Sequence, residues 1–141
     1  MNGEGKLTTP RGATHVGMFR NNTRDGYGEK LIPDGSFWKG TWQNDVFTGY
    51  GKMYKKHMGT YEGEILDHMK HGKGKIIYTN GYIYEGMLEH DIKHGPGKLY
   101  TKVKKEGASN YDGNWERGQK HGLGVEEWQG GSKYHGNYEN D

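Results

Sequence analysis

The chain has no cysteine, only three prolines and no long apolar run. The first absence excludes a disulfide framework and thiolate chemistry. No stretch approaches the roughly 18 apolar residues of a membrane-spanning helix. The opening MNGEGKLTTPRG lacks the apolar centre of a secretory leader, so the expectation is a cytoplasmic protein. Aliphatic residues are scarce too: Leu, Ile, Val and Phe supply 19 of 141 residues, too few for a conventional core. In a chain of high net charge that level means disorder. Here the net charge is only +2, and 18 aromatic residues are present. An ordered, aromatic-rich but thinly aliphatic chain suits a repeat solenoid, in which each unit packs only on its neighbours.

What the chain has instead is glycine, 26 of them, and a 23-residue sentence spoken repeatedly. Its clearest copy is YEGEILDHMKHGKGKIIYTNGYI, Tyr61 to Ile83. Calling the opening residue slot zero, copies begin at His15, Trp38, Tyr61, Tyr84, Tyr111 and Tyr134. Slot two is glycine every time, from Gly17 to Gly136, and slot four is bulky: Phe19, Trp42, Ile65, Leu88, Trp115 and Tyr138. Paired glycines fill slots eleven and thirteen, as in Gly26/Gly28, Gly49/Gly51 and Gly95/Gly97, and one period upstream Gly3/Gly5 fit the same slots. A repeat of this length outranks any single motif as evidence about fold.

Alternation at period two in slots zero, two and four reads as a strand with those three slots on one face. Six polar residues follow, such as RNNTRD or QNDVFT, long enough for a hairpin loop. A second strand and a turn such as Pro33-Asp34-Gly35 then complete the unit. Setting slot two opposite slot thirteen puts the opening aromatic, the bulky residue and all three glycines on one face. Glycine within a strand marks a close approach, so rings are expected over bare backbone, with Trp42 over Gly49 and Trp115 over Gly122. The same register pairs Glu85 with Lys98 and Glu62 with Lys75 on the other, solvated face. The expected fold is all-β: a single curled antiparallel sheet of consecutive β-hairpins.

A unit reading Y-x-G-x-[WFIL], loop, H-G-x-G and a turn resembles the MORN-repeat family, the membrane occupation and recognition nexus repeats. The likeness runs from Gly3 to Asp141. On this reading 1-141 is one array: a partial repeat at 3-14, repeats opening at 15, 38, 61, 84 and 111, and a partial repeat at 134-141. Local departures are His15 in place of the opening aromatic, Asp25 and Thr48 where Lys-His precedes glycine later, and four extra residues in the repeat opening at Tyr84. Both ends interrupt a hairpin, so the expectation is a longer array or protein, or edge-to-edge pairing of two copies.

The resemblance implies a non-catalytic, protein-binding scaffold of a cytoskeletal assembly in cytoplasm, cilium or flagellum, without cofactor. An aromatic groove lined by Trp38, Trp42, Tyr61, Tyr84, Tyr111 and Trp115 would take a partner's helix or extended segment, since a single-layer sheet cannot bury its aromatic face by itself. The alternatives it implies are a regulatory or targeting segment of a larger lipid kinase or methyltransferase, or a phosphoinositide or membrane tether. For the tether, Lys98, Lys102, Lys104 and Lys105 are the candidate anionic-lipid contacts, beside the plainer reading of a longer solvated loop. Nucleic acid is not expected, because rings and lysines are assigned to opposite faces.

Other chemistry is disfavoured by spacing. Gly72-Lys73-Gly74-Lys75 lacks the G-x-x-x-x-G-K-[ST] phosphate-loop spacing. His71, His94 and His121 share one slot, but successive copies stand roughly 9.5 Å apart across two strands, too far to share a metal that needs nitrogens at about 2.0 to 2.1 Å. Serine occurs only at turns, as Ser36, Ser109 and Ser132, and the adjacent Glu126 and Glu127 point to opposite faces of a strand. No catalytic residue is assigned.

Overall fold

The computed structural model describes residues 1–139; the last two residues of the partial repeat at 134-141 lie outside the described residues. The chain divides into two compact units meeting in sequence at Met69 and Lys70. The first holds β1 (Gly3–Thr8), β2 (Thr14–Arg20), β3 (Thr23–Leu31), β4 (Phe37–Gln43), β5 (Val46–Lys55) and β6 (Gly59–Leu66). The second holds β7 (Met69–Tyr78), β8 (Tyr82–Glu89), β9 (Ile92–Thr101), β10 (Ser109–Glu116), β11 (Gln119–Trp128) and β12 (Lys133–Tyr138). Within each unit the strands lie in sequence order, each antiparallel to the next. The expected all-β fold of consecutive hairpins is what forms.

The glycine register comes out as read from the repeat. Gly17 faces Gly28, Gly40 faces Gly51, Gly86 faces Gly97 and Gly113 faces Gly124. Each slot-thirteen glycine also faces the slot-two glycine of the following strand, as Gly28 with Gly40 and Gly97 with Gly113. Glycines therefore form an unbroken seam across the strands of each unit.

The loop is much shorter than the six polar residues suggest. Gln43 pairs with Val46, Glu89 with Ile92 and Glu116 with Gln119, leaving two-residue turns at Asn44-Asp45, His90-Asp91 and Arg117-Gly118. Both turn residues have positive φ, for example 47° and 69° at Asn44 and Asp45. That is the type I′ geometry, whose twist matches the flanking strands. Beyond each turn the register shifts: Trp42 faces Phe47 while Gly40 faces Gly51, so one residue opposes three. The first glycine of each pair sits in this bulge; Gly26 and Gly49 both have φ of 106°, open to glycine without strain. A Cβ there would point at Met18 or Thr41 on the other face. The expectation that all three glycine slots share one face is thereby corrected: slots two and thirteen do, and slot eleven does not.

Candidate functional site

The buried side chains are rings laid on the glycine seam. The Tyr84 ring covers Gly97 and Gly86, and Tyr111 covers Gly124 and Gly113. A side chain on those glycines would occupy the ring's place, which is why the slots are empty of Cβ. Each phenol then donates a hydrogen bond to the carbonyl three residues on: Tyr61 to Glu64 at 2.6 Å, Tyr84 to Met87 at 2.7 Å, Tyr111 to Asn114 at 2.8 Å and Tyr134 to Asn137 at 3.0 Å. Burial pushes the Tyr84 hydroxyl well above the ordinary phenol range, so it remains a donor. A buried ring removes about 150–250 Å² from water, an upper estimate of about 4–6 kcal/mol each.

Two repeats depart from this. In the repeat opening at Trp38 the seam is covered by Phe47, which contacts the Cβ positions of Gly51 and Gly40 and is fully buried; Trp38 is displaced and only partly buried. In the first full repeat His15 covers Gly28. Both its ring nitrogens are buried without a hydrogen bond. Burial, reinforced by Arg24 and Lys30, lowers its pKa to about 4, so it sits in the seam as a neutral ring.

The slot-four tryptophans go to the repeat before their own. Trp42 Nε1 donates to the Gly28 carbonyl at 3.3 Å, and Trp115 Nε1 to Gly97 at 3.0 Å. The expected pairs Trp42 over Gly49 and Trp115 over Gly122 are therefore corrected, since the bulge turns those glycines away. Cations complete the layer. Arg24 stacks on Trp42 at 4.4 Å and Lys93 on Trp115 at 4.7 Å. Burial, with Lys120 nearby, lowers the Lys93 pKa. Burial would raise the Glu126 carboxyl, but bonds from Lys120, Ser109 and Tyr138 together hold it below the usual range.

Of the six residues expected to line an aromatic groove, five have almost no surface left. Trp42, Tyr61, Tyr84, Tyr111 and Trp115 are between 0 and 5% exposed, because they cover glycine and one another. Only Trp38 keeps a partly open ring, with Lys30 Nζ 5.7 Å away. The four candidate lipid-contacting lysines separate. Lys104 and Lys105 line an open recess of about 830 Å³ beside Gln129. Lys102 is exposed in the same loop, and Lys98 stands on β9 against Tyr100 at 5.2 Å. The loop is pinned by Gln129, whose Oε1 accepts from Lys105 N and whose Nε2 donates to the Val103 carbonyl.

The histidines find separate neighbours: His94 approaches Glu89 at 3.5 Å, His121 approaches Glu116 at 3.0 Å, and His71 packs on His90. Glu85 forms its ion pair with Lys75 of the preceding strand, at 3.5 Å, although it stands opposite Lys98 in register as expected.

The opposite face of the first unit holds what the slot reading passed over. Tyr27 and Tyr50 stand 58% and 57% exposed, near exposed Val16 and Met18. Rings and lysines are thus not confined to separate faces. A signal was present, since Tyr27 and Tyr50 are one 23-residue period apart in slot twelve; it was hidden because that slot lay inside the assumed glycine motif.

A hairpin array with a ring-covered glycine seam and, among the described residues, no assembled acid, base and nucleophile is a repeat module. The chain belongs to the MORN-repeat family: the family's model, described as MORN repeat, matches residues 15–37, 38–56, 61–81, 84–102 and 111–133. Repeats of this family occur in protein- and membrane-binding scaffolds and are generally non-catalytic. A comparison with curated proteins gave no match.

Proposed function

We propose that this chain is a non-catalytic protein-binding scaffold whose contact surface is the exposed face of the first unit around Tyr27 and Tyr50, rather than the ring-covered face. One observation carries the reading: the fold consumes its seam rings, yet large apolar side chains gather exposed on the other side, at Val16, Met18, Tyr27 and Tyr50. Exposed apolar patches on small proteins mark interaction sites. The test is a photo-crosslinking residue placed at Thr41, between the two tyrosines, in source cells. Partner adducts that vanish with Tyr27→Ala/Tyr50→Ala support the face; adducts only from a crosslinker beside Trp38 would move the surface back to the ring side.

A second reading has its own observation. The loop holding Lys102, Lys104 and Lys105 is fixed by Gln129 and opens on a recess, which favours contact with anionic lipid, each cation near such a surface adding about 1 kcal/mol. Liposome flotation with and without phosphoinositide, using a triple Lys→Gln variant, tests it; equal flotation of both proteins overturns it.

A further inference from the structure

The exposed tyrosines frame a shallow slot of about 360 Å³, floored by the backbone of Gly40 and Gly51, flanked by Lys39 and Lys52, and edged by Glu62. The side-chain side of both glycines is turned to Phe47, so on the tyrosine side only the short Thr41 side chain rises between the two rings. Tyr27 is on β3 and Tyr50 on β5, with Thr41 of β4 between them; Thr41 pairs with Tyr27, and its Oγ1 lies 3.4 Å from the Tyr50 carbonyl. Two strand spacings separate the backbones that carry the two rings, about 9.4–9.8 Å.

That spacing matches one ligand backbone in particular. A polyproline II helix repeats every three residues with a rise of 3.1 Å each, about 9.3 Å per turn. Laid across the strands it returns the same side of its chain to Tyr27 and then to Tyr50. An α-helix repeats every 5.4 Å and a strand every ~6.8 Å, so neither stays in step with the two rings. Polyproline segments bind between aromatic rings because they are stiff before binding and lose little entropy. They also carry free carbonyls, and the exposed Tyr50 hydroxyl, which makes no hydrogen bond among the described residues, is a donor for one.

Charge selects among such segments. Lys39 and Lys52 stand directly opposite each other, an unfavourable like-charged pair. Neither forms an ion pair among the described residues, and Lys39 rests on Phe37 at 4.6 Å. A carboxylate from a ligand relieves that repulsion. Glu29 and Glu62 occupy the next positions in the same row, so the face is not a continuous basic stripe and suits a peptide acid better than a nucleic-acid backbone.

We propose that the slot between Tyr27 and Tyr50 binds a proline-rich segment in the polyproline II conformation, with an acidic residue beside the prolines seated between Lys39 and Lys52. This rests on the scaffold reading above and supplies its ligand chemistry. The probe is a fluorescein-labelled decaproline peptide ending in aspartates, read by anisotropy against the full chain. Controls are decaproline ending in lysines, a Gly/Ser peptide with the same aspartates, and a single-stranded oligonucleotide. Expected is saturable binding of the acidic decaproline, at least about tenfold tighter than the Gly/Ser control, weakened about tenfold by Tyr50→Ala, as truncation of an aromatic anchor does. Lys52→Glu should reverse the preference between aspartate-ended and lysine-ended peptides. Both side chains are exposed, so unchanged melting curves are expected for the variants, and Tyr50→Phe separates the hydroxyl from the ring. Equal binding of the decaproline and Gly/Ser peptides, tighter binding of the oligonucleotide, or indifference to Tyr50→Ala overturns the proposal. Thr41 crosslinks to a partner segment without proline overturn it while leaving the scaffold reading in place; no crosslink and no peptide binding overturns both.

Discussion

Replacing Gly97 by alanine should unfold one part of the array, and in a chain that lacks the Tyr84 ring the same replacement should cost nothing further. A Cβ on Gly97 would stand 2.5 Å from Tyr84 Cζ and 2.6 Å from Cε1, where carbon atoms prefer about 3.5–4.0 Å. The ring must therefore move by about 1 Å. It cannot do so freely, because its hydroxyl is bonded to the Met87 carbonyl at 2.7 Å and its edge packs on Trp115 at 5.7 Å. Overpacking costs about 1–3 kcal/mol, the hydrogen bond about 1 and the ring pair about 0.5–1.5, so Gly97→Ala should cost about 3–5 kcal/mol in all. Gly97 has no positive φ, so backbone strain adds nothing. In a Tyr84→Ala background the same substitution should be neutral, or stabilising by up to about 1 kcal/mol through the unfolded state, a coupling of roughly 3 kcal/mol or more in a double-mutant cycle. Urea titrations followed by tryptophan fluorescence and amide exchange of β8 to β10 measure it, with trimethylamine N-oxide added to keep the Tyr84→Ala proteins folded. Gly130→Ala, where a Cβ meets nothing, is the control. If Gly97→Ala costs under about 1 kcal/mol, or costs the same with and without the ring, the glycine seam does not exist to seat rings.

Phe47→Ala should cost about 3–5 kcal/mol, as for large buried aromatics, and Trp38→Ala much less, since Phe47 is the fully buried ring; equal losses in urea midpoints would contradict the assignment. Arg117 occupies the left-handed region at φ 51°, so Arg117→Asn should raise stability by about 1 kcal/mol; an unchanged or lower melting temperature would refute this. His15 has its pKa lowered to about 4 from 6.5. The unfolded chain therefore binds more protons between those values, and stability is full above pH 6.5 and falls as pH drops toward 4. The loss is at most about 3 kcal/mol, and denaturation curves from pH 7 to 4.5 should show it flattened by His15→Phe; an equal slope in both proteins would remove His15 as its source.

Much of the fold was legible because the repeat states it redundantly. Glycine in slot two of every copy, and in slot thirteen of every copy that reaches it, determines the Gly-to-Gly register, since only one pairing sets all of them opposite. What was not legible came from a single feature, the bulge after the tight turn. Period-two counting carries slot eleven onto the ring face, whereas the bulge at Gly26 and Gly49 turns it away and sends Trp42 back to Gly28 and Trp115 back to Gly97. The turn itself was hidden because Asp67-His68 and His90-Asp91 take a geometry usually signalled by Asn-Gly. Phe47 was invisible for the same reason: it lay within the supposed loop, yet it takes the place over Gly51 that Tyr84 takes over Gly97. The burial of the groove's rings was not legible either, because counting slots places rings and glycines on one face without showing that Tyr61, Tyr84 and Tyr111 leave almost no surface exposed.

These assignments divide the repeat into positions the fold has used and positions it leaves open. Slots zero, two, four and thirteen build the seam, slot eleven shapes the bulge, and slot nine lays a cation or a ring against the tryptophan layer, as Arg24, Phe47 and Lys93 do. Substitution in any of them perturbs packing first, so none can vary freely to suit a ligand. Slot twelve is different: it stands on the far face in the first unit, where Tyr27 and Tyr50 are exposed, and holds Tyr27, Tyr50, Lys73, Pro96 and Leu123 in successive repeats. A side chain there changes the surface without touching the seam, so slot twelve and its neighbours Lys39 and Lys52 are the positions at which the proposed ligand contact is tested. Replacing Tyr50 by lysine should consequently leave melting within about 0.5 kcal/mol of the parent, the range of surface changes, while abolishing capture of an acidic polyproline peptide. A large loss of stability in that variant would show that Tyr50 belongs to the fold after all.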